Sequence, residues 1–174
     1  MILDLIRLLF FPALIAYAAV SDLLTMTIPN RVSLLLVAGF ALAAALGGMP
    51  MQEVLQHGGA GLAVLVAGFA CFAMGWIGGG DAKVASAAAL WLGLPHLLNY
   101  LLYASLFGGA LTLFLIQFRH WPLPAALGKQ SWLMRLHGKD EDIPYGIALA
   151  LGALVIYPET DWIKAIDLAR LALA

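Results

Sequence analysis

Residues 58–77 read GGAGLAVLVAGFACFAMGWI, a run of twenty residues without a single charged side chain. A helix that crosses a bilayer needs roughly 20 predominantly apolar residues, within a range of about 17–25. Comparable apolar segments recur on both sides of this run, and together they cover residues 5–20, 32–46, 58–77, 84–94, 97–118 and 143–157. The sequence therefore predicts an all-α, polytopic membrane protein with about six transmembrane helices.

The composition of the whole chain agrees with this prediction. Of its 174 residues, 63% are hydrophobic and 11% are charged, whereas a soluble domain is about 45–50% apolar and about 25% charged. So little polar surface cannot cover a water-soluble fold, and the lipid bilayer must be part of the solvent. The single cysteine, Cys71, excludes a disulfide framework and a multi-cysteine zinc site. A net charge of −1 does not provide the excess of basic residues that nucleic-acid binding requires.

The six segments form one predicted transmembrane domain over residues 1–158, followed by a tail over residues 159–174. In the tail, apolar Trp162, Ile163, Ile166 and Ala169 oppose the charged side chains of Asp161, Lys164 and Asp167. This pattern predicts an amphipathic C-terminal helix that lies on the membrane. The chain's four histidines fall between the predicted spans, and we expect all of them in solvated loops: His57, His96, His120 and His137.

Lysine and arginine are distributed unevenly between the two faces of the membrane. Six of them fall in loops that share one face if the spans alternate, namely Arg31, Lys83, Arg119, Lys129, Arg135 and Lys139. Only Lys164 and Arg170 fall in loops on the other face. Cytoplasmic loops carry the excess of basic residues, so the first face is expected to be cytoplasmic.

Two aspartates are not explained by the hydrophobic background. Asp22 closes the first predicted span and Asp81 follows the third. An even number of crossings separates them, which places both on the basic face. An ionisable residue at the edge of a span suggests a functional site. Each aspartate also has an ordinary explanation, Asp81 as a helix N-cap and Asp22 as a polar residue at the headgroup level.

The sequence around each aspartate carries a family resemblance. Asp22 lies shortly before Ile28-Pro29-Asn30, and Asp81 belongs to the stretch Gly78-Gly79-Gly80-Asp81-Ala82-Lys83. Together these stretches resemble the type IV prepilin peptidases, which are intramembrane aspartic proteases of the Gly-x-Gly-Asp class. The resemblance covers nearly the whole chain, including the number of spans.

The resemblance implies that Asp22 and Asp81 form a catalytic pair that activates water without a metal or other cofactor. Two close carboxylates share a proton and titrate as a pair, and the sequence leaves open which one is the base. The surrounding residues would form the active-site loop that the substrate approaches: Gly78, Gly79, Gly80, Lys83, Pro29 and Asn30. The substrate would be a prepilin or pseudopilin precursor, whose leader is cut at the cytoplasmic face of the bacterial inner membrane.

The chain also departs from the larger members of that family. Those members carry a cytoplasmic insertion with paired CxxC motifs and methylate the new N-terminus, whereas this chain has only Cys71 and no long loop between its first spans. It therefore resembles the small, peptidase-only form of tight-adherence pilus systems, without methyltransferase activity.

Two other classes of function stay open on the sequence alone. A proton-coupled membrane transporter would place ionisable residues in the middle of its spans, and the predicted spans show none there. A non-catalytic assembly subunit of a pilus or secretion system would need neither aspartate. Mutation of the two aspartates separates this second class from the peptidase.

Overall fold

The computed structural model describes residues 2–123, 130–138 and 142–166, and within them the regular structure is entirely helical. This confirms the predicted all-α class. The described residues form seven helices, in chain order α1 Leu3–Thr25, α2 Asn30–Gly47, α3 Met51–Ala73, α4 Gly79–Phe118, α5 Ser131–His137, α6 Gly146–Ile156 and α7 Asp161–Lys164. A turn of 3-10 helix, Tyr157–Glu159, continues α6.

Helices α1 to α4 are long and apolar enough to cross a membrane, and Gly146–Glu159 forms a shorter apolar helix. The chain is therefore a multi-pass membrane protein. The fourth and fifth predicted spans both lie in α4, which is interrupted at Gly93, where φ is 75° and ψ is 172°. We refer to residues 79–92 as α4a and to residues 94–118 as α4b. With this division, each predicted apolar segment corresponds to one helical segment.

The chain reverses direction between α4a and α4b. Helix α3 runs antiparallel to α4a, since Gly61 faces Leu90 and Gly68 faces Ala82. Helix α6 runs antiparallel to α4b, since Gly152 faces Ala104 and Gly108 faces Tyr145 near the start of α6. At each of these crossings a glycine lets the facing helix approach closely, which is how helices pack in a bilayer.

Aromatic side chains build the core at the end of the molecule where Gly93 lies. Trp91 is fully buried, and its ring packs against Phe11, Phe40, Tyr157 and Trp162. Its indole N–H donates to the Leu36 carbonyl oxygen at 2.8 Å. The indole N–H of this cluster is thereby hydrogen-bonded to the backbone of a neighbouring helix.

Trp162 corrects part of the prediction for the tail. Its side chain is 4% exposed, and its indole N–H donates to the Trp91 carbonyl oxygen at 2.8 Å. The apolar side of α7 therefore faces the protein core at this residue and not the membrane. A tryptophan with a buried ring needs a partner for its N–H, and the core supplies one. Residues 167–174, which include Ala169 and Asp167, lie outside the described part of the chain.

Two of the histidines predicted in loops lie in helices. Helix α3 begins at Met51, ahead of the apolar run that starts at Gly58, and so contains His57. His96 lies in the first turn of α4b. The ring of His57 is half-buried, and its Nδ1 donates a hydrogen bond to the Leu90 carbonyl oxygen at 2.7 Å. Hydropathy alone selects the apolar part of α3 and misses its first two turns, which contain polar residues.

Candidate active site

Asp22 lies in the last turn of α1 and is 6% exposed. The helix ends at Thr25, and the next residue, Met26, adopts a left-handed conformation with φ of 54° and donates its N–H to the Asp22 carbonyl oxygen at 2.7 Å. This turn directs the chain into Ile28-Pro29-Asn30, and Pro29 is the N-cap residue of α2. The proline φ suits the entry into a helix.

Asp81 lies in the first turn of α4. The N-cap residue of this helix is Gly78, whose carbonyl oxygen accepts the Ala82 N–H at 3.1 Å. Asp81 is therefore inside the helix, and the explanation of this residue as an N-cap is wrong. A Cβ atom on Gly78 would lie 3.0 Å from Asp81 Oδ2. The absence of a side chain at Gly78 leaves room for that carboxylate.

Asp22 and Asp81 line one cavity of about 230 Å³. The two carboxyl groups are close enough to interact electrostatically. The other lining residues come from the turn after α3, from Met26 and from the segment before α6: Met26, Gly75, Trp76, Ile77, Gly78, Asp142, Ile143 and Tyr145. Helix α3 ends before Trp76 because Gly75 has a φ of +74°. The end of the third predicted span is thus a turn that contributes to the cavity wall.

The two stretches that carry the family resemblance contact each other directly. A Cβ on Gly80 would lie 3.3 Å from the Cβ of Ile28 and 3.6 Å from the Ile28 backbone nitrogen. The Lys83 ammonium donates to Asn30 Oδ1 at 2.8 Å. Gly80 therefore packs against Ile28 of the same chain, and the Lys83 hydrogen bond links the start of α4 to the start of α2. Gly79 instead faces the ring of Phe72.

Gly146 is a site residue that sequence reasoning did not assign. Its backbone N–H donates to Asp22 Oδ2 at 2.8 Å, at the N-terminus of α6. A Cβ at this position would lie 2.8 Å from the same oxygen and 2.9 Å from Ile28 Cδ1. The sequence offered one signal, the Pro144-Tyr145-Gly146 stretch ahead of the last span. An anionic carboxylate is favoured where a helix N-terminus presents its free N–H groups.

Residues on the same side hold the segment before α6 against the rest of the fold. The Tyr145 hydroxyl lies 3.1 Å from Thr112 Oγ1 on α4b. Arg119 donates to the carbonyl oxygens of Leu136 at 2.9 Å and Asp142 at 3.2 Å. Arg135 of α5 donates to the carbonyl oxygen of Leu24. These bonds connect the ends of α1 and α4b with α5 and with the segment before α6.

The chemistry that this cavity offers is that of paired carboxyl groups and backbone N–H donors. Among the described residues, no group of three or more His, Cys, Asp or Glu side chains is arranged to hold a metal ion. Each carboxyl accepts a backbone N–H, Asp22 from Gly146 and Asp81 from Gly78, and the two carboxyls are close together. This arrangement is suited to general acid–base catalysis with water.

Comparison with known protein families identifies a match over much of the chain. A model described as the type IV leader peptidase family matches residues 9–113, well over half of the chain. This range contains both aspartates and both resemblance stretches, whereas Tyr145 and Gly146 lie beyond it. No curated protein and no solved structure matches the chain.

Proposed function

The chain belongs to the type IV leader peptidase family, and from this premise we propose that it is an aspartic endopeptidase that removes the leader peptide of prepilin-like precursors. The observation that carries this proposal is the shared cavity of Asp22 and Asp81. The two residues come from different helices, and two ionised carboxyl groups placed side by side repel each other. Such an arrangement suits a pair that shares one proton.

In the proposed reaction, one aspartate is ionised and the other is protonated. The carboxylate takes a proton from a water molecule, and the oxygen of that water bonds to the scissile carbonyl carbon. The protonated aspartate donates its proton to the carbonyl oxygen. When the tetrahedral intermediate collapses, one of its hydroxyl groups returns a proton to the ionised aspartate, the peptide C–N bond breaks, and the departing amine receives a proton from the other aspartate, which leaves one proton on the pair. Each step is general acid–base catalysis by carboxyl groups.

The basic residues at this end of the molecule support a cytoplasmic position for the site. Lys83 and Asn30 are hydrogen-bonded to each other, Arg31 follows Asn30 in sequence, and Arg135 contacts the end of α1. Arg119 contacts the segment before α6. Positive charge accumulates on cytoplasmic loops, so cleavage is expected at the cytoplasmic face of a bacterial inner membrane. Lys129 and Lys139, which belong to the same predicted face, lie outside the described residues.

The test uses purified protein in detergent with a prepilin-type precursor. We expect Asp22→Asn and Asp81→Asn each to abolish cleavage, because loss of either carboxyl removes half of the acid–base pair. Glu159→Gln is the matched control, since Glu159 is an exposed acid at the opposite end of the molecule. A mobility shift of the precursor on a gel reports cleavage, and thermal unfolding reports whether each variant is folded.

Retention of cleavage by either aspartate variant would refute the catalytic pair. Loss of cleavage with folding intact would exclude the assembly-subunit alternative, for which both aspartates are dispensable. A labelled methyl donor added to the same reaction is expected to leave the mature N-terminus unlabelled, because the proposed activity is that of the peptidase-only form.

A further inference from the structure

A second cavity, of about 350 Å³, lies at the end of the molecule opposite the aspartates. Its wall is formed by the start of α1, the α2–α3 connection, the turn at Gly93 and the start of α7. The ionisable residues that line it are Arg7, Glu53, His57, His96 and Asp161. None of them takes part in the proposed peptidase reaction.

Arg7 supplies the cationic side of this cavity. Its side chain is 15% exposed, and its Nε is buried without a hydrogen-bond partner among the described residues. The guanidinium lies 5.8 Å from the centre of the Trp162 ring, and Nη1 is 4.0 Å from Asp4. Arg7 belongs to a π-helical turn, Ile6–Phe10, and such turns are frequent at functional sites. A planar guanidinium that lines a cavity is suited to binding a phosphate group.

Carboxylates line the same cavity. Glu53 and Asp161 are both exposed, and both interact electrostatically with the ring of His57. A simple anion that binds Arg7 would therefore meet these two carboxylates in addition to Asp4, which disfavours its binding. A ligand that carries an ammonium group beside its phosphate can pair with both the guanidinium and the carboxylates. The charges thus favour a zwitterion over an anion.

Exposed apolar side chains flank this polar cavity in sequence. Leu46 and Met51 border the lining residues Gly47 and Pro50, while Leu94 and Leu98 flank the lining residues Pro95 and His96. Leu98 is 77% exposed and Met51 is 71% exposed. In a multi-pass membrane protein such side chains contact lipid tails. We propose that this cavity binds the headgroup of a zwitterionic, amine-bearing phospholipid, with the phosphate on Arg7 and the ammonium near Glu53 and Asp161.

The proposal is tested by lipid binding to the delipidated, full-length protein, measured by native mass spectrometry. The probes are phosphatidylethanolamine, phosphatidylglycerol and the soluble headgroup glycerophosphoethanolamine. We expect the wild-type protein to bind phosphatidylethanolamine more tightly than phosphatidylglycerol, and the soluble headgroup much more weakly than either lipid.

Two variants and one control assign the binding to this cavity. Arg7→Gln should weaken phosphatidylethanolamine binding by about ten-fold or more, the effect of losing a charge-assisted hydrogen bond. Glu53→Gln, at an exposed position, should reduce the preference for phosphatidylethanolamine over phosphatidylglycerol. Gln52→Ala, on the same helix turn but outside the cavity lining, should bind as the wild type does.

Equal binding of the two lipids by the wild type, or an unchanged preference in Glu53→Gln, would overturn the proposal. Equal affinity for the soluble headgroup and the lipid would assign the cavity to a soluble ligand and also overturn it. Because cleavage is not the readout, failure of this proposal is distinguishable from failure of the proposed peptidase function.

Discussion

At the scale of single residues, Asp22 depends on a contact that no local sequence pattern contains. Its carboxylate oxygen accepts the N–H of Gly146 from the far end of the chain. Two features of Gly146 matter here, the free N–H at a helix N-terminus and the missing side chain that lets Asp22 and Ile28 approach. Gly146 is therefore a positioning residue for the carboxylate.

We expect Gly146→Ala to reduce the cleavage rate by about a hundred-fold, the effect of displacing a reacting group by about 1 Å. The added Cβ would lie 2.8 Å from Asp22 Oδ2, so the carboxylate must move away. Gly109→Ala is the matched control, because a Cβ at Gly109 in α4b meets nothing within 4 Å. The measurement is the initial rate of precursor cleavage for both variants. A rate in Gly146→Ala equal to that of the control would show that this glycine does not position Asp22.

The hydrogen bond between Lys83 and Asn30 gives a second test at this scale. If the bond serves to hold the two resemblance stretches together, Lys83→Met and Asn30→Ala should each lower the cleavage rate, by up to about ten-fold. The double variant should be no slower than either single one, since both changes remove the same interaction. The measurement is a double-mutant cycle, in which the cleavage rates of the two single variants and the double variant are compared with that of the wild type.

Additive losses in that cycle would contradict the positioning role and favour a separate contact of Lys83 with the substrate. Thermal unfolding should change little in all three variants, because both side chains are exposed. An exposed pair contributes about 0–1 kcal/mol to stability.

At the scale of elements, Gly93 divides the longest apolar helix into two segments that run in opposite directions. Residues 79–118 are helical on both sides of this residue, yet a backbone with φ of 75° and ψ of 172° is accessible essentially only to glycine. The His57 ring occupies the space beside it, with Cε1 2.9 Å from the position of a Cβ. The reversal brings the start of α4a and the end of α4b to the same end of the molecule.

Gly93→Ala should therefore destabilise the protein by at least about 1–3 kcal/mol from backbone strain, with the clash against His57 in addition. Thermal unfolding in detergent measures the effect. Gly58→Ala is the control in α3, where a Cβ meets nothing within 4 Å and alanine should leave stability unchanged or raise it by about 0.5–1 kcal/mol. The double variant His57→Ala, Gly93→Ala should recover only the steric part of the loss. Equal melting temperatures of Gly93→Ala and Gly58→Ala would refute this account of the turn.

At the scale of the whole molecule, the two cavities lie at opposite ends of the helix bundle. The aspartate cavity lies beside Lys83, Arg119 and Arg135, and the second cavity lies beside the α2–α3 connection and α7. From the positive-inside rule we expect the aspartates on the cytoplasmic side and the second cavity on the other side.

Single-cysteine variants test that orientation. In a Cys71→Ser background, Gln52→Cys marks the end of the second cavity and Gln130→Cys, next to α5, marks the end of the aspartates; both glutamines are exposed and uncharged. We expect a membrane-impermeant maleimide to label Gln52→Cys in intact spheroplasts and Gln130→Cys only after lysis. The reverse pattern would place the aspartates outside the cytoplasm.

Much of the fold follows from the sequence because it depends on local composition. Charge-free runs such as residues 58–77 must satisfy their backbone groups internally in lipid, which makes them helices regardless of their neighbours. The common face of Asp22 and Asp81 followed from the number of crossings, and the family followed from the residues around them. The ends of helices were harder to predict, since α3 begins at Met51, seven residues before the apolar run that hydropathy selects.

The tertiary structure alone decided which distant groups meet. Neither the N–H of Gly146 on Asp22 nor the bond from Lys83 to Asn30 can be read from a local pattern, because each joins segments that approach only when the helices pack. The same holds for Trp162, whose place in the helical pattern predicted a membrane contact and whose indole N–H is bound in the core. A helical pattern determines which side of a helix is apolar, whereas the packing of the whole bundle determines whether that side meets lipid or protein.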